Sequence, residues 1–232
     1  MKRFGSRHIA LAGVIAASIA ALSACAPAPK PTPAPVTRAA IPPRPYPPMG
    51  AAPNLMTPAV DARGIRQTVN IGLSSTAAIW NLRSAFNVAA LNCLKPQHAA
   101  IVVNYRSFLK KHAKALTATN TAVDKDYKAR FNSGYIRVRE TFNTKVYNYF
   151  ALPPTLPNFC DAALAMSEES KTVPVGGLGG FAANSLPRLE SVFVEFYNAY
   201  DRYRTELAAW EANYGQAYRQ QASAGTYSFA SQ

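Results

Sequence analysis

From Cys25 onward, the groups whose type and spacing invite covalent, metal or acid–base chemistry are few: the thiols of Cys25, Cys93 and Cys160, the imidazoles of His98 and His112, and the acidic pair Glu168-Glu169. A Ser-His-Asp site needs a serine on a sharp turn within reach of a histidine, and no serine here lies in a Gly-x-Ser-x-Gly elbow. A zinc site needs Cys and His at short, fixed spacing, and neither histidine stands so to a cysteine. His112 falls on an apolar helical stripe, where a hydrogen-bonded boundary residue is expected and not a base. No cofactor and no metal are expected. What the chain has in excess is positive charge: a formal +13 and a sequence pI near 9.9. Between Lys95 and Lys145, 11 Lys or Arg face only Asp124, Asp126 and Glu140. Within that stretch Arg106, Lys110 and Lys114 recur at helical spacing and form a candidate anion-binding face, of the kind that attracts phosphates and carboxylates.

The start of the chain decides which anions are relevant. Lys2, Arg3 and Arg7 precede an uncharged run of 14 residues, Ile9 to Leu22, the layout of a secretory leader. A spanning helix needs about 20 apolar residues, so this run is too short for a permanent anchor. It ends in Leu22-Ser23-Ala24-Cys25, which resembles the lipobox of bacterial lipoprotein precursors. That resemblance implies a signal peptide over residues 1–24, cleavage after Ala24, and acylation of Cys25 as the attachment to a lipid bilayer. Ala26, where an inner-membrane lipoprotein would carry Asp, implies an outer-membrane lipoprotein facing the periplasm, with the inner membrane or cell surface as alternatives. If Cys25 carries lipid, Cys93 and Cys160 are the remaining thiols in an oxidising compartment and are expected to form a disulfide, two buried free thiols being the alternative. Export also argues against nucleic acid as the partner of the basic charge, leaving an anionic envelope polymer or another envelope protein.

Residues 25–58 read as the lipidated N-terminus and a Pro-rich tether. From Ala26 to Pro58 there are 12 prolines and no acid, which forbids helix and central strand and leaves a disordered linker reaching up to about 100 Å. What remains, near 175 residues, suffices for one modest core and excludes both a disulfide-dense miniprotein and a multi-domain enzyme.

The folded part is read as residues 59–214. Asp61 to Leu73, with Ile65, Val69 and Ile71, forms a short strand or an extended arm. Ile79, Leu82, Phe86, Ala89 and Cys93 then recur at steps of 3 and 4, a helix capped near Ser74 to Thr76. A second helix is expected from Pro96, striped by Val102, Tyr105, Leu109, His112 and Leu116. Helical spacing continues through Val123, Tyr127 and Phe131 to a break at Asn132-Ser133-Gly134. It resumes through Val138, Phe142, Val146 and Tyr149 until Pro153, Pro154 and Pro157 stop it. A short helix over about 158–171 and a glycine loop over 174–180 follow. Leu186, Leu189, Phe193, Phe196, Tyr200, Tyr203, Leu207, Trp210 and Tyr214 keep an a/d pattern for four heptads, one long helix packed inside the same molecule. Residues 215–232 read as a flexible tail. The fold expected is all-α: an irregular up-down bundle of four to five helices, monomeric, with a long C-terminal helix.

Trp80 to Cys93 and Tyr147 to Pro154, with Phe159-Cys160 and Leu186-Pro187, resemble an uncharacterised family of proteobacterial envelope proteins, a likeness that carries no activity. Glu168-Glu169-Ser170 ahead of Gly176-Gly177-Leu178-Gly179 is similar to the Glu-Ser and Gly-Leu pattern of lytic transglycosylases, but Phe181-Ala182-Ala183 stands where their next elements belong. Two functions stay open: a non-catalytic structural or adaptor lipoprotein, which is favoured, and an envelope enzyme or ligand-binding lipoprotein, acting for example on peptidoglycan, with a scattered site.

Overall fold

Ser74 accepts a hydrogen bond from the Ala77 N–H and so starts the first helix, α1 (Ser75–Asn92). The computed structural model describes residues 40–227, with side chains through 222. It continues as α2 (Ala100–Lys111), α3 (Ala113–Phe131), α4 (Tyr135–Phe150), α5 (Leu156–Ser170) and α6 (Leu178–Tyr227). Among the described residues there is no strand, only an isolated bridge between Val60 and Arg66. The architecture is the all-α bundle expected from the periodicity. α2 and α3 are one helical run interrupted at His112, so five rods make up the bundle.

α1 is the central rod and packs against each of the other five helices. Its sequence permits this because small residues, Ser84, Ala85 and Ala89, are buried beside Leu82, Phe86 and Val88 and let neighbours approach on several sides. The seam of α6 is buried from Leu186 to Tyr203, and Phe193 meets Tyr149, Phe150 and Phe159 with ring centroids 4.5 to 5.6 Å apart. Cys93 at the end of α1 and Cys160 on α5 form a buried disulfide, with Cα atoms 5.4 Å apart.

Three boundaries differ from the sequence reading. Pro96–His98 is a single 3-10 turn, and α2 begins only at Ala100. The break at His112 lets α2 turn Asn104 towards α5 and Phe108 towards α1 and α6, while α3, with Leu116, Thr119 and Val123 buried, packs on α1 and α4. α6 starts at Leu178, inside the stretch read as a glycine loop, and its 50 residues span about 75 Å. Pro187 is tolerated in it because both Pro187 and Ala183, whose carbonyl loses its N–H partner, are exposed to water.

The compact helical unit also begins earlier, at Ile41 and not at residue 59. Residues 41–70 run antiparallel along α6. Trp210 Nε1–H donates to the Pro42 carbonyl at 2.8 Å, and Arg44 pairs with Glu211 at 3.0 Å. The Tyr200 hydroxyl donates to Ala52 O at 2.7 Å and accepts from Leu55 N–H at 2.9 Å. Further along, Arg66 donates to Pro58 O, Asn198 and Asp201 at 2.6 to 2.7 Å. Proline limits regular structure in this arm to a 3-10 turn at Pro48–Gly50 and leaves other carbonyls free, and α6 supplies most of the donors they meet. Residues 1–24 and Cys25 lie outside the described residues, as do 228–232 at the end of the tail; the part of the tail over 215–227 is not a flexible segment but continues α6 as helix.

Candidate functional site

The charges separate into two regions. Around α5, α6 and the arm, most arginines and lysines are matched to acids: Arg66 to Asp201, Lys171 to Glu168, Arg188 to Glu169 and Arg44 to Glu211. On α2, α3 and α4 they are not. Asp124 and Asp126 take up Arg139 and Arg130, whereas Arg106, Lys110, Lys114, Arg137 and Lys145 are exposed and form no ion pair with a described residue. The break at His112 puts Arg106 and Lys110 on α2 but Lys114 on α3, so the expected face is shared between two helices.

The acidic pair is held ionised. Glu168 accepts from Lys171 Nζ at 2.5 Å and Asn104 Nδ2 at 2.8 Å, and these bonds hold its carboxyl below the usual range. Arg188 does the same to Glu169. A general acid on a glycan needs the opposite shift. Among the described residues no group of three His, Cys, Asp or Glu could hold a metal ion, and no helix is long and apolar enough to cross a membrane.

A cleft of about 770 Å³ lies between the start of α1 with its preceding loop and the α3–α4 hairpin, within the range of about 300–1,000 Å³ usual for ligand pockets. Helical spacing explains its lining. Val123, Tyr127 and Phe131 fall on one face of α3, and Val138 and Phe142 on one face of α4. Both stripes begin in the bundle but outrun it: Val123 is 6% exposed, while Phe131 and Val138, near the hairpin tip, are 38% and 37% exposed. The sequence signal for these positions was present, and it read as core. Burial of Tyr127 pushes its phenol up and keeps it neutral.

The walls are braced. Arg139 on α4 donates to Asp124 at 2.5 Å and to Asn120, both on α3, and its guanidinium lies 5.6 Å from the ring of Trp80 on α1. Arg83 reaches the same ring at 5.3 Å. The loop of Ile71, Gly72 and Leu73 is held from behind. Glu190 of α6 accepts from the Thr68 hydroxyl and the Asn70 amide, and Asn81 donates to Asn70 Oδ1 at 2.9 Å. Burial and the Glu190 charge push the neighbouring Tyr197 phenol up to about 12, so it stays protonated. Arg130, Arg137 and Lys145 stand round the cleft as cations, against Asp126 alone. No protein-family model, curated protein or solved structure matches this chain, and its role has to be read from this cleft and the charges beside it.

Proposed function

We propose that the protein is a non-catalytic envelope lipoprotein of adaptor type, held on a bilayer through acylated Cys25 and presenting its helical unit to an anionic component of the envelope. The basic leader, the 14-residue apolar run and Leu22-Ser23-Ala24-Cys25 support the anchoring. Two or more acyl chains would attach it without a spanning helix, since each buried CH2 contributes about 0.8 kcal/mol. The observation that carries the binding half is the cation surplus of α2 to α4, where Arg106, Lys110, Lys114, Arg137 and Lys145 face solvent with no ion pair to a described residue, while most basic groups of α5, α6 and the arm are paired to acids. Unneutralised charge of one sign draws a polyanion and is screened by salt.

Two measurements test the two halves. Cys25→Ser should abolish incorporation of labelled fatty acid and the size change on processing; unchanged labelling would end the lipoprotein reading. The chain from Ala26 to Gln232, without lipid, should co-sediment with isolated envelope at low salt and be released as the Debye length falls to about 8 Å. Charge reversal of Arg106, Lys110 and Lys114 to Glu should weaken that association with melting temperature nearly unchanged, because exposed substitutions seldom exceed about 0.5 kcal/mol. Co-sedimentation indifferent to both salt and charge reversal would remove the anionic partner.

A further inference from the structure

The cleft asks for a ligand of particular chemistry. Most of its polar lining groups are already used inside the protein. Ser74 Oγ caps α1, the Asn81 amide holds Asn70, the Thr141 hydroxyl donates to Arg137 O, and Asp126 pairs with Arg130. A sugar, whose hydroxyls each need a partner, would find few free acceptors here. What the cleft leaves unsatisfied is of two other kinds. One is apolar and aromatic area on Trp80, Tyr127, Phe131 and Phe142; the other is the pair of cations Arg137 and Lys145, which have no acidic partner among the described residues. An apolar bed beside an uncompensated double positive charge is complementary to one class of molecule.

We propose that this cleft binds a single phosphate-headed amphiphile, with its phosphate at Arg137 and Lys145 and its acyl chain laid across Trp80, Tyr127 and Phe142. The inference rests on the anionic-partner reading above and narrows the partner from an envelope polymer to an individual lipid. Arg137 and Lys145 lie about two turns apart on α4 and can meet one phosphate, whose charge at neutral pH is about −1.5 to −2 and matches theirs. Braced by Arg139, the hairpin offers the apolar bed without first having to fold around the chain.

The test uses the Ala26 to Gln232 chain, free of detergent, titrated with lysophosphatidic acid below its micellar concentration. Trp80 sits in the cleft and Trp210 against the arm, so saturable binding should change tryptophan emission, and Trp80→Phe should remove the change. Arg137→Glu with Lys145→Glu should weaken binding at least tenfold. Lys95→Glu with Arg202→Glu, an equal change of charge at exposed positions outside both the cleft and α2 to α4, should alter it less than twofold. Lysophosphatidylcholine of the same chain length and glycerol 3-phosphate should each bind at least tenfold more weakly. Equal binding of the zwitterionic lipid, equal binding of the bare head group, preference for a muropeptide, or absence of saturable binding would each overturn the inference. Salt-sensitive envelope association that persists without lysophosphatidic acid binding would leave the adaptor reading standing and sink this one. Lipid binding without envelope association would do the reverse.

Discussion

His112 is the residue whose environment most departs from what its chemistry prefers. It is fully buried at the break between α2 and α3, against the Phe108 ring at 5.1 Å, and neither ring nitrogen has a hydrogen-bond partner among the described residues. Burial, reinforced by the Lys111 charge, lowers its pKa below the ordinary 6.5. The unfolded chain therefore binds a proton that the folded chain resists. The neutral imidazole is compatible with the fold above pH 6.5, and stability falls as pH drops through that value. Thermal melts of the wild type between pH 7 and pH 5 should show this loss, and His112→Leu should reduce its slope without lowering the melting temperature at pH 7. An unchanged slope would mean that the imidazole finds solvent or a partner on protonation. The apolar stripe around His112 was legible in the sequence; the missing hydrogen bond was not, because no residue pattern shows which partner a buried nitrogen lacks.

At the scale of elements, the arm is held to α6 by side chains that reach backbone carbonyls, and Arg66 is its central tie. Its side chain is 4% exposed and binds Asp201, Asn198 and Pro58 O while lying 5.7 Å from the Tyr197 ring. Asp201 is partly in water and can rehydrate, so Arg66→Ala should cost about 2 kcal/mol, the scale of a charge-assisted hydrogen bond. Hydrogen exchange should then accelerate at the Leu55 and Gln67 amides but not in α1; uniform acceleration would mean the arm has no independent opening. The helices that the arm and hairpin join were largely readable, since the stripes of α1 and α6 are both long and uninterrupted. Docking of 41–58 was not, because proline content reports which structures a segment cannot form and says nothing about donors elsewhere that match its carbonyls. The cleft was hidden for a related reason. Tyr127, Phe131 and Phe142 have core spacing, and only the length of the hairpin relative to its neighbours leaves their faces uncovered.

For the molecule as a whole, the disulfide is the main covalent constraint beyond the chain itself. Cys93 and Cys160 are 67 residues apart in sequence, and closing a loop of that size stabilises the fold by about 4 kcal/mol in the chain-entropy account. Reduction, or Cys93→Ala with Cys160→Ala, should lower the melting temperature by roughly 10 °C for a unit of this size while helicity at 25 °C persists. An unchanged melting temperature would show that the reduced, unfolded chain is no freer than the oxidised one. The same bond has a mechanical meaning. Everything that forms the α3–α4 hairpin lies between the two cysteines, so tension applied between the chain's ends crosses from α1 to α5 through the sulfurs. Residues 94–159 are bypassed. A pull on the chain ahead of Ile41 is then borne by the arm, α1, α5 and α6, and the hairpin side of the cleft is off the load path.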